Sequence, residues 1–366
     1  MDYLVNAAEQ FKHQDKVTDI REYGNGNINK TFLATTDSQK EKYFILQRIN
    51  THVFRQPELI MKNMSTFTGH VRKRLQQRPI SSGRRWEVPR VLLARDGQDH
   101  WIDPDGSFWR AISFIDNAQT FNTIKDINHA RQVGYALGMF HNLLSDLSPD
   151  KLTDTLEGFH ITPHYLLHYE DVLANHSVKK SPEVNYCLQF VSKRSHSRVH
   201  VLENARAQGS LGLRPIHGDP KVNNIMVDTE TGQAISIVDL DTVKPGLVHY
   251  DIGDCLRSGC NPLGEETGSW ETIRFEPGLC QAILQGYLSI AGEFFTRNDF
   301  EYLYDSIQLI AFELGLRFFT DFLQGNVYFR ASHPEHNLAR ALVQFKLTES
   351  IESQAAAIRN IIRDIG

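Results

Sequence analysis

Long apolar runs are missing from this sequence of 366 residues, and no stretch approaches the ~20 apolar residues that a membrane-spanning helix requires. The most apolar helix candidate, 306–319, is interrupted by Glu313 and Arg317. The N-terminal segment carries acidic side chains early and lacks an apolar segment with a cleavage site, so we expect no signal peptide. These absences argue against a membrane protein and predict a cytoplasmic location.

Cysteine is scarce, at four residues, and no two of them have the C-x-x-C spacing. Zinc sites and dithiol redox centres use such closely spaced cysteines. The sixteen histidines are scattered along the chain without an H-E-x-x-H motif. We therefore expect free thiols in a reducing compartment and no transition-metal site.

An excess of charge of one sign is also absent, because 39 Lys and Arg against 44 Asp and Glu leave a net charge of −5. Nucleic-acid-binding domains are usually basic, so nucleic acid is not an expected partner. Hydrophobic residues at 41% and charged residues at 23% are typical of a globular protein and exclude a disordered or collagen-like chain. At roughly 150 residues per domain, the length predicts two domains or lobes.

The first third of the sequence is dominated by strand patterns. Glycine and asparagine tolerate the positive φ of a tight turn, so the turn at 24–27 is expected to join the first two strands. A helix is predicted from Pro57, a favourable first helical residue. A hairpin is predicted to pair the fourth strand with the fifth. The predicted strands are 17–23, 30–35, 43–49, 88–94, 100–102 and 108–115.

From Asn128 onward the apolar residues recur at three- and four-residue steps, which predicts helices. The fold class predicted is therefore α+β and bilobal. We expect a small, strand-rich lobe over 1–116, a mostly helical lobe over 117–366, and a connector near Phe114. Later helices are predicted at 164–174, 181–194, 278–293, 298–323 and 338–364.

The strongest chemical signal is a polar motif between strand-like segments. Asp219 follows His217 and Gly218, Asn224 comes five residues after Asp219, and Asp239 comes fifteen residues after Asn224. Phosphoryl transfer needs one carboxylate to orient the acceptor hydroxyl and take its proton, and an Asn with a second carboxylate to hold Mg²⁺. Residues that merely cap turns would account for a lone His-Gly-Asp, but not for the whole spacing.

This motif resembles the catalytic loop and metal-binding Asp of aminoglycoside phosphotransferase-like kinases. These enzymes are relatives of the protein kinases, whose motifs are H-R-D-x-x-x-x-N and D-F-G. Within that superfamily the chain is most similar to bacterial N-acetylhexosamine 1-kinases, and the similarity extends over almost the whole chain. The stretches that carry it are 23–29, 44–50, 239–254, 315–318, 328–329 and 333–338.

The resemblance implies a protein-kinase-like fold, with a small antiparallel sheet in the first lobe and a mostly helical second lobe. It also implies ATP-dependent transfer of a phosphoryl group, with Mg²⁺, to the anomeric hydroxyl of GlcNAc or GalNAc. Asp219 would be the catalytic base, and Asn224 and Asp239 would bind Mg²⁺. Asp241 would be a further metal ligand or a carboxylate that orients the metal site.

The resemblance also implies binding residues for both substrates. Arg317 and Tyr328 match residues that hold the sugar, although Arg317 could instead pair with Glu313, four residues earlier on the same helix. His217 is expected to steady the catalytic loop. The residues expected at the nucleotide are Gly24, Gly26, Asn27, Gln47, Phe114 and Ile115.

Gln47 is a departure from the protein kinases, which have a phosphate-binding Lys at this place on the third strand. Gln carries no charge, but it also occurs here in the sugar kinases that the chain resembles. Two alternatives therefore remain: a kinase of the same fold for choline, homoserine, an aminoglycoside or another sugar, and a nucleotide-binding pseudokinase. We expect small-molecule partners only, and a monomer or weak dimer.

Overall fold

An antiparallel sheet of six strands is formed by the first third of the chain, in the order β1-β2-β3-β6-β4, with β5 also pairing with β6. The computed structural model describes residues 2–11, 16–24, 26, 28–80, 83–176, 180–194 and 198–366. The strands are β1 (Val17–Glu22), β2 (Lys30–Thr36), β3 (Tyr43–Ile49), β4 (Val91–Leu92), β5 (Trp101–Ile102) and β6 (Phe108–Ser113).

The two faces of this sheet have different surroundings because side chains alternate along each strand. Phe44, Leu46 and Trp109 pack on one face with apolar residues of the N-terminal helix. Gln47 and Arg110 lie on the opposite face, where they line a cavity between the lobes. One face therefore packs against the N-terminal helix, and the other places Gln47 and Arg110 toward the second lobe.

The hairpin predicted between 88–94 and 100–102 is wrong, because β4 and β5 each pair with β6 and not with each other. A tight turn after β5 explains the difference. The Asp103 carboxylate accepts the backbone N–H groups of Asp105 and Ser107 and the indole N–H of Trp109. These bonds close a hairpin between β5 and β6.

Helices form most of the second lobe, and its central contact is between the helices Ile127–Leu144 and Pro277–Ala291. A Cβ atom on Gly134 would lie 1.9 Å from the carbonyl oxygen of Ile283, so these helices need glycine for their close approach. The helices are α1 (Asp2–Glu9), α2 (Pro57–Gln77), α3 (Ile127–Leu144), α4 (Thr162–Asn175), α5 (Pro182–Arg194), α6 (Val201–Ala207), α7 (Val248–Gly259), α8 (Pro277–Ala291), α9 (Arg297–Glu301), α10 (Leu303–Leu323), α11 (His336–Ser353) and α12 (Ala355–Ile365).

Two helices that were predicted to be continuous, 298–323 and 338–364, are each broken once. Tyr302, with φ of −99° and ψ of 1°, separates α9 from α10. Gln354, with φ of −108° and ψ of 15°, separates α11 from α12. The Gln354 side chain donates to the carbonyl oxygen of Phe275, which anchors that break to a neighbouring segment. Periodicity of apolar residues does not reveal such breaks.

Two small sheets carry the segments with the polar motif. Their strands are β7 (Ala118–Gln119), β8 (Arg214–Ile216), β9 (Ile225–Asp228), β10 (Ala234–Ile237) and β11 (Lys244–Gly246). The orders are β10-β9-β7 and β11-β8. The α+β, bilobal fold class is confirmed. Within the described ranges, each helix is too short or too polar to cross a bilayer.

Candidate active site

The polar motif lies at the junction of the two small sheets. Asp219 follows β8, and Asn224 ends a 3₁₀ turn at Val222–Asn224 that leads into β9. Asp239 follows β10 with φ of +65°, a left-handed conformation in which Asp and Asn are found more often than other non-glycine residues. All three side chains line one cavity of about 450 Å³ between the lobes.

The same cavity collects most of the residues predicted for the nucleotide and the metal. Asn27 lies outside the described residues. Arg317 and Tyr328 are not among the residues that line this cavity. Gly24 has φ of +76°, as the predicted turn requires. The predicted site residues in the lining are Gly24, Gly26, Gln47, Phe114, Ile115, Asp219, Asn224, Asp239 and Asp241.

Asp219 is held by two neighbours that leave one of its oxygens accessible. Lys221 Nζ donates to Asp219 Oδ2 at 2.8 Å. Asn224 Nδ2 donates to the Asp219 carbonyl oxygen at 2.7 Å and to Oδ2 at 3.3 Å. The side chain is 28% exposed, and Oδ1 has no hydrogen-bond partner among the described residues. Oδ1 is therefore the atom of Asp219 that can meet a hydroxyl group.

Lys221 was missed in the sequence, although it stands only two residues after Asp219. Burial disfavours its ammonium group, but the carboxylates of Asp219 and Asp239 hold the pKa of Lys221 above its ordinary value. Lys221 therefore stays charged beside the candidate base and lines the same cavity. A basic residue so close to a candidate base was the signal available in the sequence.

His217 lies beneath the catalytic loop and is fully buried. Its Nδ1 accepts the backbone N–H of Asp219 at 3.2 Å, so its Nε2 carries the proton and donates to the Val238 carbonyl oxygen at 3.0 Å. Burial holds the pKa of His217 below its ordinary value. The neutral imidazole, hydrogen-bonded through both ring nitrogens, connects the segments that carry Asp219 and Asp239. This arrangement fits a structural role.

Asp251 of α7 holds the same loop from below. It accepts the backbone N–H of His217 at 2.7 Å and that of Gly218 at 2.8 Å, and it pairs with His141 Nε2 at 2.9 Å. Burial alone would raise the pKa of Asp251, but the hydrogen bond and charge of His141 keep it below its ordinary value. The loop therefore rests on a buried carboxylate that remains ionised.

His160 links the catalytic loop to α10. Its Nε2 lies 2.6 Å from the Gly218 carbonyl oxygen and its Nδ1 lies 2.9 Å from Glu313 Oε1, so both ring nitrogens face acceptors. Glu313 Oε2 accepts the hydroxyl of Thr162 at 2.7 Å. Burial opposes the charged ring, but Glu313 outweighs it and raises the pKa of His160. An imidazolium donates through both nitrogens at once, and this geometry requires it.

This ion pair predicts a pH dependence of stability. Because the pKa of His160 is raised by folding, its stabilisation is complete below the unfolded pKa of about 6.5 and is lost as the pH rises through the folded pKa. Breaking a buried pair costs about 3–5 kcal/mol. We therefore expect His160→Gln to lower the free energy of unfolding by about this amount at pH 6, and by less as the pH rises.

Urea unfolding of both proteins between pH 6 and pH 9 measures this difference. The control is His52→Gln, because His52 is exposed. The control should follow the wild type at every pH. A difference between His160→Gln and the wild type that stayed constant with pH would contradict a charged His160.

Four aromatic rings surround the Arg317 guanidinium on the second lobe. Its Cζ lies 4.9 Å from the ring centroid of Phe159, 4.9 Å from Tyr165, 5.3 Å from Phe329 and 6.0 Å from Tyr328. These are distances at which a cation is attracted to a ring face. Arg317 and Tyr328, which were predicted together from the sequence, are thus neighbours.

The alternative for Arg317, an ion pair with Glu313, is wrong. The oxygens of Glu313 are engaged by His160 and Thr162, and no ion pair of Arg317 is found among the described residues. Burial would lower the pKa of Arg317, but Tyr165, Tyr328, Glu313 and then Asp219 raise it. The guanidinium is therefore within the electrostatic reach of Asp219 and has N–H groups to offer.

Tyr328 belongs to a second cavity, of about 600 Å³, formed by the segment 326–334 and Asn50. Asp321 of α10 holds this segment, because its carboxylate accepts the backbone N–H groups of Val327, Tyr328 and Phe329. Arg317 lies one helical turn before Asp321. Tyr328 therefore lines a cavity separate from the one that holds Asp219 and the nucleotide residues, and Arg317 lies beside Tyr328.

Gln47 takes part in a row of side chains across β2, β3 and β6. It is paired in register with Thr31 on one side and Arg110 on the other. Its Oε1 accepts Arg110 Nε at 2.9 Å and Nη2 at 2.8 Å, and its Nε2 donates to Thr31 Oγ1 at 3.0 Å. Arg110 was missed in the sequence, because only the register shows that it faces Gln47.

Asp241 lies where the two lobes meet. Its Oδ1 is 2.5 Å from Arg110 Nη2, and its Oδ2 accepts Asn29 Nδ2 at 2.5 Å. Both partners come from the first lobe, whereas Asp241 lies in a 3₁₀ turn of the second, Leu240–Thr242. Asn29 engages Oδ2, whereas Oδ1 lies against the Arg110 guanidinium without a hydrogen bond among the described residues, so the arrangement is compatible with both roles predicted for Asp241.

The donor atoms near Asp239 fit Mg²⁺. Burial and the carboxylates of Asp241 and Asp219 raise the pKa of Asp239 to about 6, so the cluster has negative charge for a cation to offset. Asn224 uses its Nδ2 for Asp219, which leaves its amide oxygen as a second hard ligand. Across the described ranges, no three His, Cys, Asp or Glu side chains form a metal cage. Water and phosphate oxygens would have to supply the other ligands.

Comparison with known families gives one match that spans most of the chain. A family model described as the phosphotransferase enzyme family, APH, matches residues 19–292. That range begins in β1 and ends just after α8, and it includes Asp219, Asn224 and Asp239. The match therefore covers the whole cavity between the lobes.

Solved structures with the same fold include one small-molecule kinase and two antibiotic phosphotransferases. The aminoglycoside phosphotransferase from Alicyclobacillus acidocaldarius has a TM-score of 0.63 at 14% identity, over 98% of this chain and 96% of its own. A microcompartment-associated aminopropanol kinase has a TM-score of 0.62 at 16% identity, over 98% and 99%. Spectinomycin phosphotransferase, solved with ADP and spectinomycin, has a TM-score of 0.58 at 14% identity, over 98% of each chain. The predicted protein-kinase-like fold is confirmed.

Proposed function

Because the chain belongs to the phosphotransferase enzyme family, we propose that it is an ATP-dependent kinase for the anomeric hydroxyl of an N-acetylhexosamine. The family transfers phosphoryl groups to small molecules. The further step, to a sugar such as GlcNAc or GalNAc, is carried by one observation: the acceptor side of the site holds a cation, Arg317, within a group of aromatic rings.

The charge of this region opposes an amine as acceptor. A quaternary ammonium or amine would need an open aromatic cage or unpaired carboxylates. Here the aromatic rings already surround Arg317, and nearby acids are paired: Glu313 with His160, and Glu266 with Arg340. Arg317 can only donate hydrogen bonds, so it favours hydroxyl and carbonyl oxygens, which an N-acetylated sugar offers.

Asp219 would perform the central step. Its Oδ1 would accept a hydrogen bond from the sugar O1 hydroxyl and take its proton as O1 attacks the γ-phosphorus of ATP, while the bond from that phosphorus to the bridging oxygen breaks and ADP leaves. Lys221, which donates to the other oxygen, fixes the carboxylate in place and keeps a positive charge beside the reacting groups. No covalent intermediate with the protein is needed, because positioning and electrostatic stabilisation supply the catalysis.

The first lobe would hold the nucleotide. Asn224 and Asp239 would bind Mg²⁺, which offsets the charge on the phosphates when bound. The turn that contains Gly24 and Gly26 would cover the phosphates with backbone N–H groups. Phe114 and Ile115, which line the cavity at the end of β6, would contact the base.

The pseudokinase alternative is supported only by the missing charge at Gln47. Arg110 places a guanidinium in the same row of the sheet and lines the same cavity. Asp219, Asn224 and Asp239 are all present in that cavity as well. A kinase for another acceptor remains the stronger rival, because the similar structures include an aminopropanol kinase and an aminoglycoside phosphotransferase.

An acceptor screen tests the proposed function. We expect Mg²⁺-dependent ATP turnover with GlcNAc or GalNAc, and at least about tenfold lower kcat/KM with the N-deacetylated sugars, since one lost hydrogen bond to a charged group is worth about 1.5–3 kcal/mol. Glucose should be poor and choline inactive. Phosphorus NMR of the product should place the phosphate at C1.

The Arg317→Leu variant is to be compared with the wild type in the same screen. Removing the guanidinium should reduce the preference for the N-acetylated sugars, with the KM for ATP little changed. Preferred turnover of choline or an amino alcohol by the wild type would contradict the sugar proposal and leave the phosphotransferase assignment intact.

A further inference from the structure

Arg110 is an unusual residue to find inside a sheet. Its side chain is 1% exposed, although a guanidinium is strongly solvated outside a protein. It stands in β6 between Trp109 and Ala111, both of which pack on the other face of the sheet. A charged group buried at this position needs hydrogen-bond partners for its N–H groups. The partners in the structure satisfy only some of the guanidinium nitrogens.

The guanidinium has one nitrogen left over. Its Nε and Nη2 are used by Gln47, and Nη2 also meets Asp241. Nη1 is buried and has no hydrogen-bond partner among the described residues. Arg110 lines the cavity that contains Asp219 and Asp239. An unsatisfied buried donor is costly, so Nη1 is a donor that a group bound in this cavity would satisfy.

We propose that Arg110 binds the nucleotide phosphates through Nη1, and that Gln47 is the residue that orients it. This assignment rests on the proposed kinase function. It adds that Arg110 supplies the positive charge that binds the phosphates. Protein kinases bring a Lys from the third strand. This chain brings the charge from β6, the strand next to β3, and keeps a neutral amide on β3.

The role of Gln47 follows from the hydrogen bonds of its amide. The Gln47 Nε2 donates to Thr31 Oγ1, so its Oε1 points toward Arg110. Two N–H groups of Arg110 donate to that oxygen. Asp241 holds the same guanidinium from the second lobe. A planar guanidinium held along one edge presents its remaining donors in a fixed direction. Gln47 and Asp241 therefore position Arg110, and only Arg110 would touch the phosphates.

Nucleotide binding to the whole chain tests this assignment without reference to any acceptor. Calorimetry would measure the affinities of ATP, ADP and adenosine, with excess Mg²⁺, for the wild type and Arg110→Met. Charge-assisted hydrogen bonds to phosphate are strong, and we expect ATP and ADP to bind about 10- to 100-fold more weakly to the variant. Adenosine, which has no phosphate, should bind equally to both proteins.

Two further variants separate phosphate binding from a structural role. Arg48→Met removes a cation from the neighbouring β3 position on the opposite face and should leave all three affinities unchanged. Gln47→Lys in the Arg110→Met background returns a cation to the row and should recover most of the ATP affinity. Equal weakening of adenosine and ATP, or no weakening of ATP, would overturn the role of Arg110.

The remaining outcomes also decide the question. If Arg110→Met does not fold, Gln47→Leu provides the same comparison, and ATP should weaken while adenosine does not. Loss of both, or of neither, would overturn the assignment. A wild type that binds adenosine but gains nothing from phosphates would overturn the proposed kinase function as well. If the wild type and Arg110→Met bind ATP with the same affinity, only the role proposed for Arg110 is overturned.

Discussion

The Asp219→Asn variant is expected to transfer phosphoryl groups about 10²- to 10⁴-fold more slowly than the wild type, the range typical for loss of a general base. The amide keeps the shape of the side chain and can still accept a hydrogen bond from Lys221. It cannot take the proton from the acceptor hydroxyl. ATP affinity should be little changed, because Gly24, Gln47 and Arg110 are untouched.

Single-turnover kinetics at saturating ATP and acceptor would measure this loss, with ATP affinity measured separately by calorimetry. The matched control is Asp116→Asn, which removes an exposed carboxylate just after Ile115. That control should keep wild-type rates. A rate near the wild-type value for Asp219→Asn would rule out Asp219 as the base, whatever the acceptor is.

Asp239→Asn should lower activity by at least about 10²-fold at a Mg²⁺ concentration that just saturates the wild type, since a bound metal ion supplies several kcal/mol of charge stabilisation. The backbone should tolerate the change, because Asn adopts the left-handed conformation of Asp239 as readily as Asp does. The variant keeps an oxygen ligand but loses its charge, so metal affinity falls.

Stability distinguishes this effect from misfolding. Burial and two neighbouring carboxylates raise the pKa of Asp239 to about 6, so its ionised form opposes folding at neutral pH. Without metal, Asp239→Asn should therefore melt at the same temperature as the wild type or higher. Addition of Mg²⁺ and ATP should raise the melting temperature of the wild type more than that of the variant. A variant that melted lower without metal would contradict this explanation.

The parts of the site that could be predicted from the sequence are those determined by neighbours along the chain. Asp219, Asn224 and Asp239 stand within one stretch of strand, turn and strand, so their spacing alone predicts that they meet. The turn at Gly24 was predictable for the same reason. The antiparallel strands β1 to β3 follow from alternation and short connections.

The parts that could not be predicted depend on register or on contacts between distant segments. Arg110 faces Gln47 only because β6 pairs with β3 in one register, and a slip by one residue would turn Arg110 to the other face. His160 meets Gly218 and Glu313, which are 58 and 153 residues away in the chain. The breaks at Tyr302 and Gln354 interrupt patterns whose apolar periodicity continues past them.

The imidazolium of His160 has a consequence for any attempt to change the acceptor of this enzyme. Glu313 and Arg317 stand one turn apart on α10, and His160 joins Glu313 to the loop of Asp219. A redesign that shifts α10 to fit a new molecule would therefore displace the candidate base as well, and turnover would fall together with recognition. The segment 326–334, on the proposed acceptor side, is tied to α10 by Asp321 but makes no hydrogen bond to the loop of Asp219 among the described residues. Substitutions in this segment can change acceptor selectivity while Asp219 keeps its position. Directed evolution should therefore begin with this segment.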